Sequence, residues 1–314
     1  MIATRDHGGS LDSAITRYGG KRAEWLDLST GINPVPYPIC ALPADAWTAL
    51  PDDAAADALI SAARKIWNVP DTADVLPTHG ASAAIARIPS LRATGVATIP
   101  GPTYNEHAAA FRSFGWRVSE TADRTTDATV VVHPNNPDGR WWNESDLNAP
   151  LTVIDESFCD IAPERSLMRL AENPGTLVLK SFGKFWGLAG LRLGFVIGDP
   201  TYVAQLREGL GPWSVSGPAL AIGAKALADT AWATRTRDRL NADAARLDSI
   251  LMAKGAELLG GTSLFRLYNV DDAARWQDHL AKSYVWTRVF PYSRTWLRLG
   301  MPAPDCWSQL EAAL

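Results

Sequence analysis

Five short runs rich in Val, Ile and Leu, at 96–99, 129–132, 151–154, 177–179 and 193–197, constrain this chain more than any other feature. Helix-like stretches such as 104–114 and 144–148 lie between several of them. Strands alternating with helices predict an α/β fold with a mostly parallel sheet, because parallel neighbours need a crossover to connect them. Ala-rich composition predicts further helices over 53–67 and 81–92, the second opening straight from the turn Pro77-Thr78-His79-Gly80. Residues 1–34 read as irregular and end in Gly31-Ile32-Asn33-Pro34. Beyond 212 the texture changes to one long helix-like stretch (218–254), an apolar run at 264–270, a helix over 271–283 and short strands at 285–289 and 296–299. That pattern reads as a smaller C-terminal α+β domain. The organisation expected is an N-terminal arm (1–34), a large domain (35–212) and a small domain (213–314).

Composition serves mainly to exclude. Of 314 residues 46% are hydrophobic, enough for a sizeable core, so the chain is neither disordered nor fibrous. A net charge of −4 is too balanced for a nucleic-acid surface. No apolar run reaches membrane-helix length, and the N-terminus does not read as a signal peptide. Three scattered cysteines, Cys40, Cys159 and Cys306, fit a reducing compartment, so the expected location is the cytoplasm. Only 7 lysines stand against 23 arginines, which makes a lysine in a Gly-rich apolar setting conspicuous.

Common motifs fail. Gly183-Lys184 is no phosphate loop, since Phe185 follows it and Val178 stands where the first glycine belongs. No metal-ligand spacing and no Gly-x-Ser-x-Gly elbow occurs. What remains is an ordered set at predicted strand ends, where open α/β sheets place ligands. Strand 129–132 leads into His133-Pro134-Asn135-Asn136-Pro137-Asp138-Gly139; strand 151–154 leads into Asp155-Glu156-Ser157-Phe158. Strand 177–179 leads into Lys180-Ser181-Phe182-Gly183-Lys184, then Gly190-Leu191-Arg192. Each piece alone is a turn, a cap or a surface lysine. Together they share one chemical explanation, pyridoxal phosphate. Its aldehyde needs a lysine amine, met by Lys184, and its ring nitrogen needs a carboxylate, met by Asp155. Its phosphate needs backbone N–H groups, hydroxyls and an arginine, met by Gly80, Ala81 and Ser82 at a helix start, Ser181 and Arg192. Asn136 would bond the ring hydroxyl and Tyr104 would stack on the ring.

On these residues the sequence resembles the fold-type I pyridoxal-phosphate enzymes of the aminotransferase I/II group across nearly its whole length. Ser181-Phe182-Gly183-Lys184 with Arg192 eight residues on carries most of the likeness, and Asn136-Pro137-Asp138-Gly139 and Asp155-Glu156 add to it. Within the group, His7-Gly8-Gly9, the segment from Asp27 to Pro34 and Trp296-Leu297-Arg298-Leu299-Gly300 are similar to the threonine-phosphate decarboxylases of cobalamin biosynthesis. The resemblance implies Lys184 as the catalytic lysine, Arg298 on the substrate α-carboxylate, and His7, Gly8, Asn33 and Asn136 at the substrate. Arg288 is the candidate for the substrate phosphate and Arg294 its rival. A homodimer with sites at the interface is also implied. Two departures stand out: Phe158 replaces a tyrosine that many aminotransferases place on the ring hydroxyl, and Leu50 replaces one that reaches the partner's cofactor phosphate.

The reaction this implies is decarboxylation of L-threonine O-3-phosphate to (R)-1-amino-2-propanol O-2-phosphate. The bond that breaks is the one held perpendicular to the cofactor ring, so the residues that set the rotation about Cα choose between decarboxylation and transamination. Two other readings stay open: an aminotransferase of the histidinol-phosphate type, and a non-catalytic binding protein on the same fold.

Overall fold

The computed structural model describes residues 7–39, 41–121 and 126–314; Cys40 lies outside them. Residues 7–34 hold more structure than expected. Helix α1 (Leu11–Tyr18) buries Leu11 and Ala14 against Trp25 and Ala281, and β1 (Leu26–Asp27) pairs in parallel with Val285–Trp286. Eight residues are too few to show a helical period, and their helicity comes from packing rather than propensity.

The chain divides into two compact units, and the larger comprises Pro36–Asn136 and Trp141–Thr234. It contains α2 (Asp45–Thr48), α3 (Asp53–Ile66), β2 (Asp74–Thr78), α4 (Ala81–Arg87), β3 (Val96–Thr98), α5 (Asn105–Ser113) and β4 (Arg117–Ser119). There follow β5 (Ala128–Val132), β6 (Leu151–Asp155), β7 (Thr176–Ser181), β8 (Gly194–Gly198), α6 (Pro200–Leu210) and α7 (Gly217–Ala228). Seven strands form one sheet in the order β2-β8-β7-β6-β5-β3-β4, all parallel except β8, which runs against both its neighbours. Strands β5, β6 and β8 are buried along their whole length, which is why they read as unbroken apolar runs. The sequence offers no such signal for β2, which carries Asp74 and Pro77; as an edge strand it tolerates the N–H that proline lacks. The helix expected over 144–148 is a single 3₁₀ turn, Glu144–Asp146, closed by a capping box between Asn143 and Asp146.

The long helix-like stretch is two helices. After α7 the chain breaks at Asp229, whose carboxylate accepts from the Trp232 N–H to start α8 (Thr230–Ala253). Helix α7 packs on α3, where a Cβ on Gly223 would lie 2.8 Å from Leu59 Cδ1. It therefore stays with the large unit, and the division falls at 234/235 instead of 212/213.

The second unit gathers Met1–Val35, Pro137–Arg140 and Arg235–Leu314. Its remaining elements are β9 (Glu257–Thr262), β10 (Phe265–Asn269), α9 (Ala273–Ala281), β11 (Val285–Trp286), β12 (Arg288–Phe290), β13 (Ser293–Gly300) and α10 (Trp307–Ala313). Strands β12-β13-β10-β9 form an antiparallel sheet. The turn at 137–140 belongs here because the Gly261 N–H donates to Asp138 O at 2.8 Å, and a Cβ on Gly139 would lie 2.0 Å from Gly261 O.

Candidate active site

All nine residues expected at the cofactor line one pocket of the large unit: Gly80, Ala81, Ser82, Tyr104, Asn136, Asp155, Ser181, Lys184 and Arg192. It opens where β5, β6 and β7 end, since Val132 closes one strand and its register partner Asp155 closes the next. Asp155 is 2% exposed. One of its oxygens, Oδ2, lies 2.8 Å from His107 Nε2, while Oδ1 accepts from the Ser157 N–H at 3.0 Å and the Ser157 hydroxyl at 2.5 Å. Burial alone would raise its pKa, but the bond to and charge of His107, with the two Ser157 bonds, outweigh it and hold the carboxyl below the usual aspartate range. Asp155 is therefore an ionised carboxylate in a dry setting, fit to hold a proton on a pyridine nitrogen.

His107 was not expected. It sits on α5 one turn after Tyr104, with the two rings 6.0 Å apart and nearly perpendicular. The signal available was spacing: a histidine three residues past a pocket tyrosine shares its helix face. The acid it serves lies 48 residues away in sequence.

The other end of the pocket is a cradle for an anion. Gly80 adopts φ +89°, and a Cβ there would lie 2.6 Å from Arg192 Nη2, so only glycine leaves this space. The Arg192 guanidinium donates to Ser82 Oγ at 3.0 Å and to Ala189 O at 2.9 Å. Ser181 Oγ accepts from the Gly183 N–H at 3.2 Å, which leaves its own proton for another acceptor. Two hydroxyls and a guanidinium, an ionised carboxylate and the half-buried Lys184 line the same pocket, and they fit the phosphate, ring nitrogen and aldehyde of pyridoxal phosphate. Phe158 lies against that lysine, its ring centre 5.3 Å from Nζ.

Of the residues expected at the substrate, Asn136 lines the pocket of the large unit, and His7, Gly8, Asn33, Arg288 and Arg298 fall in the second unit. Arg288 and Arg298 are direct register partners across β12 and β13. Arg298 is 5% exposed and donates to Ser29 O at 2.7 Å; Arg288 donates to His7 O at 2.7 Å. Burial, and then the neighbouring Arg288 charge, push Arg298 down to about 10. A buried guanidinium weakened by a second one beside it gains from any anion that reaches it. Gly8 packs on Ser29, where a Cβ would lie 2.4 Å from the carbonyl oxygen. Arg294 is 92% exposed at the side chain, with Asp272 3.9 Å away. Asn33 is buried, and its Oδ1 accepts from both Arg239 Nη2 and the Val35 N–H. The bond from Arg239 helps to fix the orientation of this buried amide, a role for Arg239 that no local motif announces.

His133, Glu156 and Cys159 bring donor atoms within 4.8 Å of one another, a spacing that would suit a metal. Two of the three are already engaged: both nitrogens of His133 are bonded, to Trp142 N and Arg165 O, and Glu156 pairs with Lys180.

The family described as aminotransferase class I and II matches residues 24–305. The chain is 39% identical to the threonine-phosphate decarboxylase of Pseudomonas aeruginosa, over 98% of this chain and 97% of that one. It is 41% identical to the threonine-phosphate decarboxylase of a Sinorhizobium species, over 97% and 95%. Among solved structures, the histidinol-phosphate aminotransferase of Sinorhizobium meliloti in complex with pyridoxal-5′-phosphate superposes with a TM-score of 0.81 at 18% identity, covering 99% of this chain and 94% of that one.

Proposed function

The chain belongs to the class I and II aminotransferase family, and from that premise we propose that it removes the α-carboxyl group of L-threonine O-3-phosphate as carbon dioxide. The product is (R)-1-amino-2-propanol O-2-phosphate, the linker of the cobalamin nucleotide loop, and the cofactor is pyridoxal 5′-phosphate. The observation that carries this reading is the Arg288–Arg298 pair: two guanidiniums side by side suit a substrate with two anionic ends. The decarboxylases that share about two-fifths of its sequence over nearly the whole length support it.

When bound, the cofactor supplies an aldehyde that captures the substrate amine and a protonated ring that takes up the electron pair left at Cα. The chain's residues do the rest. Asp155, kept ionised by His107 and Ser157, holds the proton on the ring nitrogen. Ser82, Ser181 and Arg192 would hold the cofactor phosphate, with Gly80 leaving room for the Arg192 guanidinium. Arg298 grips the substrate carboxylate with a planar fork, and Arg288 with His7 holds the phosphate. Holding both ends of the substrate would restrict rotation about Cα, which is what selects the bond that breaks. Lys184, carrying as an ammonium the proton given up by the substrate amine, would deliver it to Cα in place of the lost carboxyl group.

Incubation with threonine phosphate tests the reading. Stoichiometric carbon dioxide without keto acid supports it; conversion of the substrate to its keto acid, with the amino group passed to an added 2-oxo acid, would make the chain an aminotransferase of the histidinol-phosphate type. A purified protein with no visible cofactor band would leave only a non-catalytic binding role.

Arg288→Ala provides a finer test. A phosphate carries about −1.5 to −2 charge near neutral pH and relies on charge-assisted donors, each contributing on the order of 1.5–3 kcal/mol. Binding of threonine phosphate should weaken by that amount while plain threonine, already a poor ligand, is unaffected. Equal weakening of both ligands would reassign the phosphate to Arg294.

We also take the working form to be a cytoplasmic homodimer. Ile39, Trp47, Leu50 and Trp213 are large apolar side chains exposed on the large unit, and Pro51 and Trp213 line one groove there. Cys159 and Cys306 are free thiols, in keeping with a reducing compartment. Among the described residues no helix is long and apolar enough to cross a membrane. Sedimentation equilibrium should return twice the chain mass; a monomer retaining full activity would refute the dimer.

A further inference from the structure

We propose that Asp160 is a positioning residue that fixes Lys184 by gripping its loop at both ends. The proposal rests on Lys184 being the cofactor lysine. Asp160 lies in the buried 3₁₀ turn Cys159–Ile161, behind the sheet rather than in the pocket. Its Oδ1 takes the Lys180 ammonium at 3.3 Å, and its Oδ2 accepts from Trp186 Nε1 at 2.9 Å. Lys180 stands four residues before Lys184 and Trp186 two residues after it. One carboxylate thus ties down both flanks of the short loop that carries the reactive amine.

Strand alternation explains how this happens without crowding the pocket. Ser181 lines the pocket, so Lys180 beside it on β7 projects to the opposite face. Asp155 and Glu156 divide in the same way at the end of β6. Lys180 Nζ lies 2.7 Å from Glu156 Oε2, and this ion pair joins the ends of the two strands whose next-door residues face the cofactor. Glu156 is itself held by the Ser166 hydroxyl at 2.7 Å and the Leu167 N–H at 2.6 Å.

Stability alone does not account for the arrangement. Trp186 is fully buried and stacks between Phe182 and Trp232, with ring centres 5.3 Å away on each side. Those stacks fix the plane of the indole, while the bond to Asp160 fixes its rotation within that plane. Two carboxylates and one ammonium withdrawn from water are costly, and well-packed apolar side chains would serve stability as well or better. What the charged set adds is a defined place for each flank of the loop. The indole N–H of Trp67, just past the end of α3, also donates to Asp160 Oδ1 at 2.9 Å.

The test uses the full chain, wild type, Trp186→Phe and Asp160→Asn, with and without pyridoxal phosphate. Trp186→Phe keeps the ring stack and removes one hydrogen bond, so it remains informative if Asp160→Asn fails to fold. Expected for Trp186→Phe are full cofactor loading, a kcat lowered about tenfold and a KM within about twofold of wild type. The pH midpoint of the bound cofactor's visible band should move by about half a unit. Amide hydrogens over 181–188 should exchange faster even without cofactor, while the melting temperature changes little. Asp160→Asn should exceed it in every readout. Borohydride reduction of the wild type separates the premise from the proposal. If Lys184 is labelled but the midpoint, kcat and amide exchange of Trp186→Phe match wild type, the positioning role is overturned. Labelling of Lys180 instead would overturn the cofactor reading itself, and the proposal with it.

Discussion

Lys184→Ala should abolish both covalent attachment of pyridoxal phosphate and turnover. Among the described residues Lys184 is the one lysine lining the pocket that holds Asp155, Ser181 and Arg192. Its neighbour Lys180 is buried behind the sheet, where burial opposes its charge but Glu156 and Asp160 prevail and hold it as an ammonium above the usual lysine range. An ammonium locked in that way is no nucleophile, so Lys180 cannot substitute. Loss of the amine removes cofactor capture and the proton returned to Cα together, and general acid–base groups alone supply about 10²–10⁴-fold. We therefore expect kcat/KM to fall at least about a thousandfold, toward the upper part of that range. Cofactor retained non-covalently through Ser82, Ser181 and Arg192 should dialyse away. Borohydride labelling of the variant, or turnover within tenfold of wild type, would refute the assignment.

Asp155→Asn should cost far more rate than cofactor affinity. The amide keeps the shape and much of the hydrogen bonding to Ser157, but it cannot hold a proton on the ring nitrogen. The expected loss in kcat is on the order of a hundred- to thousandfold, the scale of one preorganised electrostatic partner. Cofactor content should remain near stoichiometric, because the phosphate cradle is untouched. The pH dependence has a definite sign. Since the folded-state pKa of Asp155 is depressed, its carboxylate persists as pH falls through the usual aspartate range, and the activity that depends on it is lost only below that range. His107→Phe removes the largest of the favourable interactions, so the pKa rises and the acid limb of the activity profile moves up in pH. An unmoved acid limb in His107→Phe, or near-normal turnover in Asp155→Asn, would exclude this role.

The cofactor chemistry was legible in the chain because each participant ends a strand or opens a helix. Strand ends are readable as apolar runs meeting polar residues, so Asp155, Ser181 and Lys184 could be placed before any tertiary contact was known. Even the glycine before α4 was visible as a turn, and its reason, the 2.6 Å approach of Arg192 to the absent Cβ, is geometric confirmation of the same local signal. The alternation of strand and helix likewise determined the class of fold, because periodicity and burial on both faces of β5 and β6 are properties of short segments.

Tertiary structure decided what depends on partners distant in sequence. His107 reaches Asp155 across 48 residues, Asp160 reaches Trp186 across 26, and Arg239 reaches Asn33 across 206. None of these has a local spacing rule, since a hydrogen bond across the fold depends on where two elements come to rest. The same holds for α1, whose eight residues become helical by packing on Trp25, and for α7, which follows α3 into the large unit instead of joining the segment after it. Sequence thus determined which groups could do the chemistry, through short-range pattern and residue type; packing alone decided which side chains hold those groups ionised, oriented and in place.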